Sequence, residues 1–544
     1  MSKHDLVIRG GTIYDGSGSP AFIGDIAIDG QKITLIGEPG AFEGEVEIDA
    51  TGLAVAPGFI NMLSWAVESL IIDGRSQGDI RQGVTLEVVG EGFSMGPLSP
   101  AMKAEHPNGI LGDKNIQYSV DWTTLGEYLD FMVKRGISCN IASFVGTSTL
   151  RTYTIGYGDR PPTEAELAKM CELAEEAMQE GAVGLASALI YPPASYAKTD
   201  ELIAIAKAIS KYNGLYITHL RSEADAFLEA LDEMLTISRE AKIRAEIYHL
   251  KVSGRENWSK MDEAIRVVEA ARAAGEEITA DMYMYPAGGT GLEVCIPLWA
   301  QDGGPDAMKA RLRDPETRER IKKDMNTPST EWENMWLKAG TPDNILLAEF
   351  SNEELKQYTG KRLTEVITLR GTSPEDTILD LVYENEGRVS TIYFMMSEDN
   401  IRKQVALPWV SFCSDAESMS PEGVFLKSNP HPRAYGNFAR VLGHYVRDEG
   451  LVPLEEAIRR LTSFPAKTLR IVDRGSLEAG YFADVVIFDP AKVQDYATFE
   501  EPQQFSTGMV HVFVNGTQVL KDGEHTGALP GQVVRGPGWT GHKN

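Results

Sequence analysis

Cysteine, histidine and basic residues are the scarce components of this chain, and each shortage removes a class of function. The four cysteines, Cys139, Cys171, Cys295 and Cys413, stand far apart without paired spacing. That pattern excludes a disulfide framework and fits reduced thiols used for packing. Lys and Arg number 52 against 79 Asp and Glu, which leaves a formal charge of −27. Such a field repels phosphate backbones and anionic lipid surfaces, so neither nucleic acid nor membrane is an expected partner. There is no run of about 18 uninterrupted apolar residues, and the opening Met-Ser-Lys-His lacks an apolar signal core, which points to a cytoplasmic protein.

What is present is ordinary globular composition, 42% apolar and 24% charged, in a chain of 544 residues that is too long for one simple core. From Asp5 to about Ala56 short alternating strands are broken by Gly-Gly, Asp-Gly and Pro-Gly turns. The far end has the same texture, with Ala483 to Phe488 and His511 to Val514 around an Asn515-Gly516 turn. The two ends, 1–56 and 471–544, are expected to build one composite β-sandwich domain. Between them, apolar runs of four to eight residues alternate with helix-period segments, the pattern of a parallel (β/α)8 barrel over 57–470. Barrel strands are expected near 57–62, 84–90, 138–145, 182–187, 214–219, 244–249, 278–283 and 408–414, with 390–396 competing for one place. The stretch 287–385 is too long for a βα loop and carries helical patterns with Trp332 and Trp336, so it reads as an inserted lid.

Of nine histidines, His4, His525 and His542 lie in tails and His511 sits inside a terminal strand. His219 ends Leu-Tyr-Ile-Thr-His and His249 ends Ala-Glu-Ile-Tyr-His, each where an apolar strand meets its loop. On a barrel those are neighbouring strand mouths on the face where chemistry is built, and two imidazoles there can share a metal ion. Read singly, either is better taken as a hydrogen-bonded strand end; the matched placement of both favours coordination. Asp415 follows Pro-Trp-Val-Ser-Phe-Cys-Ser at another strand mouth. It reads as a turn or cap residue, or as the carboxylate that takes a proton from a metal-activated water and passes it to a leaving nitrogen.

Several segments resemble the N-acyl-D-amino-acid deacylases (D-aminoacylases) of the amidohydrolase superfamily. They are Asp5-Leu-Val-Ile-Arg-Gly-Gly-Thr-Ile-Tyr-Asp-Gly, Ala56-Pro-Gly-Phe-Ile, Leu189-Ile-Tyr-Pro-Pro-Ala-Ser-Tyr-Ala and Tyr283-Met-Tyr, together with Asn429-Pro-His-Pro-Arg-Ala-Tyr-Gly-Asn-Phe and Arg474-Gly-Ser-Leu-Glu-Ala-Gly-Tyr-Phe-Ala-Asp. Two departures stand out. After Pro-Gly-Phe-Ile the family has Asp-x-His-x-His, whereas this chain reads Asn61-Met-Leu63-Ser-Trp65, and neither Leu63 nor Trp65 can ligate a metal. Where the family's Gly-Asn-Cys-Gly supplies a thiolate, this chain has Val89-Gly-Glu91-Gly-Phe-Ser, one residue shorter, with Glu91 at that position.

The resemblance implies a reduced site that holds one zinc ion, or another divalent metal, through Glu91, His219 and His249 and leaves a position for water. Asp415 would be the general base and acid. Lys251, Tyr283 and Arg433 match positions that hold the substrate α-carboxylate, and Tyr191 lines the same pocket. The implied activity is hydrolysis of an N-acyl amino acid, a small-molecule substrate, by a protein that can also form homo-oligomers. Alternatives are a non-catalytic protein on the amidohydrolase fold, or a cyclic amidase or lactonase.

Overall fold

The computed structural model describes residues 3–541 apart from 106, 111–115 and 386, so His542 lies outside the described residues. Eight stretches form parallel strands, numbered here in chain order: β1 Phe59–Ser64, β2 Val84–Val89, β3 Asn140–Ser143, β4 Gly184–Ala188, β5 Leu215–His219, β6 Arg244–Ile247, β7 Ile278–Met282 and β8 Val410–Phe412. One parallel sheet runs β1-β2-β3. After Phe144 the chain resumes as Val145–Gly146, which pairs with β4, and the second parallel sheet continues β4-β5-β6-β7-β8. A parallel bridge from Ser64 to Ala416 joins the end of β1 to the loop after β8.

Side chains reinforce that junction. Asn61 Nδ2 on β1 donates to Glu87 Oε2 on β2 at 2.9 Å and to Ser414 Oγ beyond β8 at 2.8 Å, while Asn61 Oδ1 accepts from Ser414 N at 2.8 Å. Burial leaves the Glu87 carboxyl raised to about 7, against the hydrogen bonds of Ser64 and Asn61. Strands β1, β2, β4 and β5 are buried at every position, which is why they read as continuous apolar runs rather than alternating ones.

Helices follow the strands and pack against them. Glu164–Gln179, ahead of β4, opens on a Thr163/Glu166 capping box, and Met170, Leu173, Ala174, Ala177 and Met178 are its buried face. Thr199–Ser210, Phe227–Ala241 and Lys260–Ala273 follow β4, β5 and β6 in the same manner. Full burial of one Leu or Met on such a face contributes about 1.5–3 kcal/mol.

The terminal segments share one nine-stranded sheet, in which His4–Ile13, Phe22–Asp29 and Ala54–Pro57 from the start adjoin Val485–Phe488, Met509–Val514 and Thr517–Lys521 from the end. Ala54–Pro57 pairs antiparallel with Val485–Phe488 and leads directly into β1. The segment between β7 and β8 carries its own antiparallel sheet, with Ser390–Tyr393 between Gly288–Gly291 and Ile345–Glu349. The competing run 390–396 therefore contributes a strand to that sheet, and the place beside β7 belongs to β8. No helix among the described residues is long and apolar enough to cross a membrane.

Candidate metal centre

Glu91, His219 and His249 converge on one buried point. Glu91 Oε1 lies 3.3 Å from His219 Nδ1 and 2.9 Å from His249 Nε2, and those two nitrogens are 3.0 Å apart. Donor atoms about 2.0–2.1 Å from a tetrahedral zinc are about 3.3 Å from one another, so three N and O donors at this spacing fit such an ion.

Each donor is held by its backbone. Glu91 sits between Gly90 and Gly92, with φ of +106° and +62°. A Cβ at Gly90 would stand 2.6 Å from Phe144 O, and one at Gly92 would stand 2.5 Å from Ala188 Cβ. The glycines let the short loop wedge against the ends of β3 and β4, a close approach that a side chain forbids. His219 is the last residue of β5. His249 lies two residues past β6 at φ +32°, with its N–H donating to Asp281 Oδ1 at 2.6 Å. Asp415 shares the left-handed region at φ +48° and donates its N–H to Leu63 O at 2.9 Å. Two such residues at strand mouths mark strained backbone where chemistry is commonly placed.

Beneath the three donors lies a carboxylate that the motif reading passed over. Glu223 Oε1 is 3.1 Å from His249 Nδ1, and Oε2 is 3.5 Å from His219 Nε2, so one buried side chain faces the outer nitrogen of both imidazoles. An orienting carboxylate behind a ligating histidine fixes its tautomer and raises its basicity. Its signal was present in the sequence, a Glu four residues after His219 in the same loop. Lys251 Nζ donates to Glu223 Oε1 at 2.7 Å and stands 2.7 Å from His249 Nδ1. Despite opposing burial, His219, Lys251 and His249 depress the Glu223 carboxyl to about 2. Burial and Lys251 push His249 down, but Glu223 and Glu91 outweigh them and raise it to about 10. Burial holds His219 below the usual imidazole range, with His249 and Lys251 adding to it against Glu223 and Glu91. Trp65 donates Nε1–H to Glu91 Oε2 at 3.0 Å and leaves Oε1 to face the histidines.

Tyr191, Lys251, Tyr283 and Arg433 surround this centre. The Tyr191 ring meets His219 edge-on at 5.5 Å, and its hydroxyl shares a 2.7 Å hydrogen bond with Thr290. Arg433 lies 4.4 Å over the Tyr283 ring, with Lys251 Nζ 5.9 Å from the same ring. Arg433 Nη1 stands 2.9 Å from Asp415 Oδ2; burial lowers its pKa, but Asp415, Tyr283, Cys413 and Glu91 outweigh this and raise it. Among the described residues a second group, Glu398, His444 and Glu449, is partly exposed, and Arg402 already binds Glu449 at 2.8 and 3.0 Å.

Comparison with known proteins agrees with this geometry. Residues 427–520 match the amidohydrolase family model. The chain is 34% identical over 535 residues to the D-aminoacylase of Alcaligenes xylosoxydans xylosoxydans, covering 97% of both proteins. It belongs to the N-acyl-D-amino-acid deacylase family of amidohydrolases. Two solved members of that family resemble it throughout. A D-aminoacylase whose binuclear centre is described as activated by one metal and attenuated by a second has TM-score 0.81 at 31% identity, covering 98% of this chain and 100% of its own. The N-acyl-D-glutamate deacylase from Bordetella bronchiseptica, solved with zinc and a phosphonate mimic of the tetrahedral intermediate, has TM-score 0.80 at 29% identity with the same coverage.

Proposed function

We propose that this protein hydrolyses N-acyl-D-amino acids, with one zinc ion held by Glu91, His219 and His249. The observation that carries the reading is the buried group of three donors, together with Asp415 just past β8 and its 2.9 Å contact with Arg433. We also read the eight parallel strands as one closed TIM-type barrel, the terminal segments 1–56 and 471–544 as a composite β-sandwich domain, 287–385 as a lid, and the location as cytoplasmic.

When bound, zinc supplies Lewis acidity, which lowers the pKa of water from 15.7 to about 7 and polarises a carbonyl. The chain supplies the rest. Arg433 and Tyr283 hold the substrate carboxylate, and the 2.9 Å contact between Arg433 and Asp415 brings the scissile amide beside the base. Asp415 takes a proton from the attacking water as the C–O bond forms, and returns it to nitrogen as the C–N bond breaks, releasing a carboxylate and a free amino acid. Lys251, drawn inward to Glu223 and His249, supports the donors and lies at the edge of the carboxylate pocket. Glu223 holds both imidazoles.

The test is Asp415→Asn. It should retain zinc while turnover of an N-acetyl-D-amino acid falls by roughly 10²- to 10⁴-fold. Near-normal turnover in the zinc-loaded variant would remove Asp415 from the mechanism.

A further inference from the structure

A second guanidinium, that of Arg388, stands beside Tyr191 and Thr290, and the reaction proposed above has no use for it. The strand Gly288–Gly291 is an edge of the inserted sheet and passes both arginines. A Cβ at Gly288 would lie 3.7 Å from the Tyr283 hydroxyl, and one at Gly289 would lie 3.3 Å from Arg433 Nη2. The next residue, Thr290, accepts a 2.8 Å hydrogen bond from Arg388 Nη2 and shares another with the Tyr191 hydroxyl. Successive strand residues advance by about 3.3 Å, so the two guanidiniums attend neighbouring positions of one strand edge. Arg388 lies 5.8 Å from the centroid of the Tyr191 ring, whose edge meets His219.

The way Arg388 is held differs from that of the structural arginines. Arg151 is buried and grips Glu201 through two hydrogen bonds at 2.8 and 2.6 Å. Among the described residues the nearest carboxylate paired with Arg388 is that of Glu293, at 3.8 Å and beyond hydrogen-bonding distance, and the Arg388 side chain is 47% exposed. Burial lowers its pKa, but Glu293, Tyr191 and Glu91 outweigh this and keep it charged. A charged fork of donors that, among the described residues, makes one hydrogen bond, and that stays half exposed beside Tyr191, is suited to meet an anion.

We infer that Arg388 recognises a second anionic group of the substrate, so that the preferred substrates are N-acyl amino acids carrying two carboxylates, one at Arg433 and one at Arg388. This rests on the deacylase reading. The second carboxylate belongs either to the amino-acid side chain or to the acyl group, and both present the same chemistry to the guanidinium.

The experiment compares kcat/KM of the zinc-loaded full-length protein for N-acetyl-D-leucine, N-acetyl-D-aspartate, N-acetyl-D-glutamate and N-succinyl-D-leucine. It is repeated with Arg388→Met and Arg388→Lys after zinc content and circular dichroism have confirmed folding. At least one dicarboxylate should exceed N-acetyl-D-leucine by roughly ten- to 150-fold, the effect of one charge-assisted hydrogen bond. That ratio should collapse toward one in Arg388→Met and be partly kept in Arg388→Lys. Preference for the acidic side chains places the second carboxylate there; preference for the succinyl compound places it on the acyl group. Hydrolysis without a dicarboxylate preference, or a preference that survives Arg388→Met, overturns the inference and leaves the deacylase reading standing. No hydrolysis of any of the four overturns both.

Discussion

Glu223→Gln is the perturbation that most sharply separates an orienting carboxylate from a packing residue. Glutamine has nearly the same volume but presents one acceptor and one donor, whereas the two imidazole nitrogens at 3.1 and 3.5 Å both need an acceptor once their other nitrogens ligate a metal. One histidine is therefore turned or left facing an N–H group. Loss of such a partner costs roughly ten- to 100-fold in metal affinity, or about 1.4–2.7 kcal/mol. Lys251, which Glu223 holds at 2.7 Å, is left as a buried ammonium without its counter-ion, and this deepens the loss. Zinc affinity should be measured by competition with a chromophoric chelator on protein whose near-ultraviolet circular dichroism matches the parent. Cobalt substitution should show a changed d–d spectrum, and Glu223→Asp should recover part of the affinity. A Gln variant with parental zinc affinity and an unchanged cobalt spectrum would refute the orienting role.

Two further predictions concern the substrate pocket and the ligand loop. Arg433→Ala should penalise free-acid substrates more than carboxyl-amidated ones by roughly ten- to 150-fold in kcat/KM; any effect through Asp415 is common to both and cancels in the ratio. Equal penalties would refute the clamp. Gly92→Ala forces an L-residue into φ +62° and a Cβ into Ala188, so it should lose about 2 kcal/mol or more of stability and lower zinc occupancy by moving Glu91. Unchanged melting temperature and zinc content would refute the argument from loop packing.

Much of the parallel-strand frame was legible because it depends on local pattern. Apolar runs ending in His219, His249 and Asp415 mark strand mouths whatever the packing around them, and the structure places these residues at or just past β5, β6 and β8. Glu91 could be located only through resemblance, since a carboxylate between two glycines has no periodic signature. Ser390–Tyr393 is plainly strand-like, but its partners are antiparallel and distant in sequence, so the pattern named the strand without naming the sheet. Glu223, Trp65 and Arg388 escaped the motif reading for a related reason. Their significance lies in contacts to Glu91, the histidines and Thr290 that tertiary packing brings together.

The central claim is a deacylase that works with a single metal ion, and titration of activity against zinc tests it most directly. Metal-free protein is supplied with increasing equivalents of zinc, and release of free amino acid from an N-acyl-D-amino acid is followed, with Glu91→Ala in parallel. The account predicts activity that rises to a plateau at about one equivalent per chain, and a Glu91→Ala protein that neither retains zinc nor turns over. A requirement for two equivalents, full activity without metal, or an active Glu91→Ala protein would contradict it.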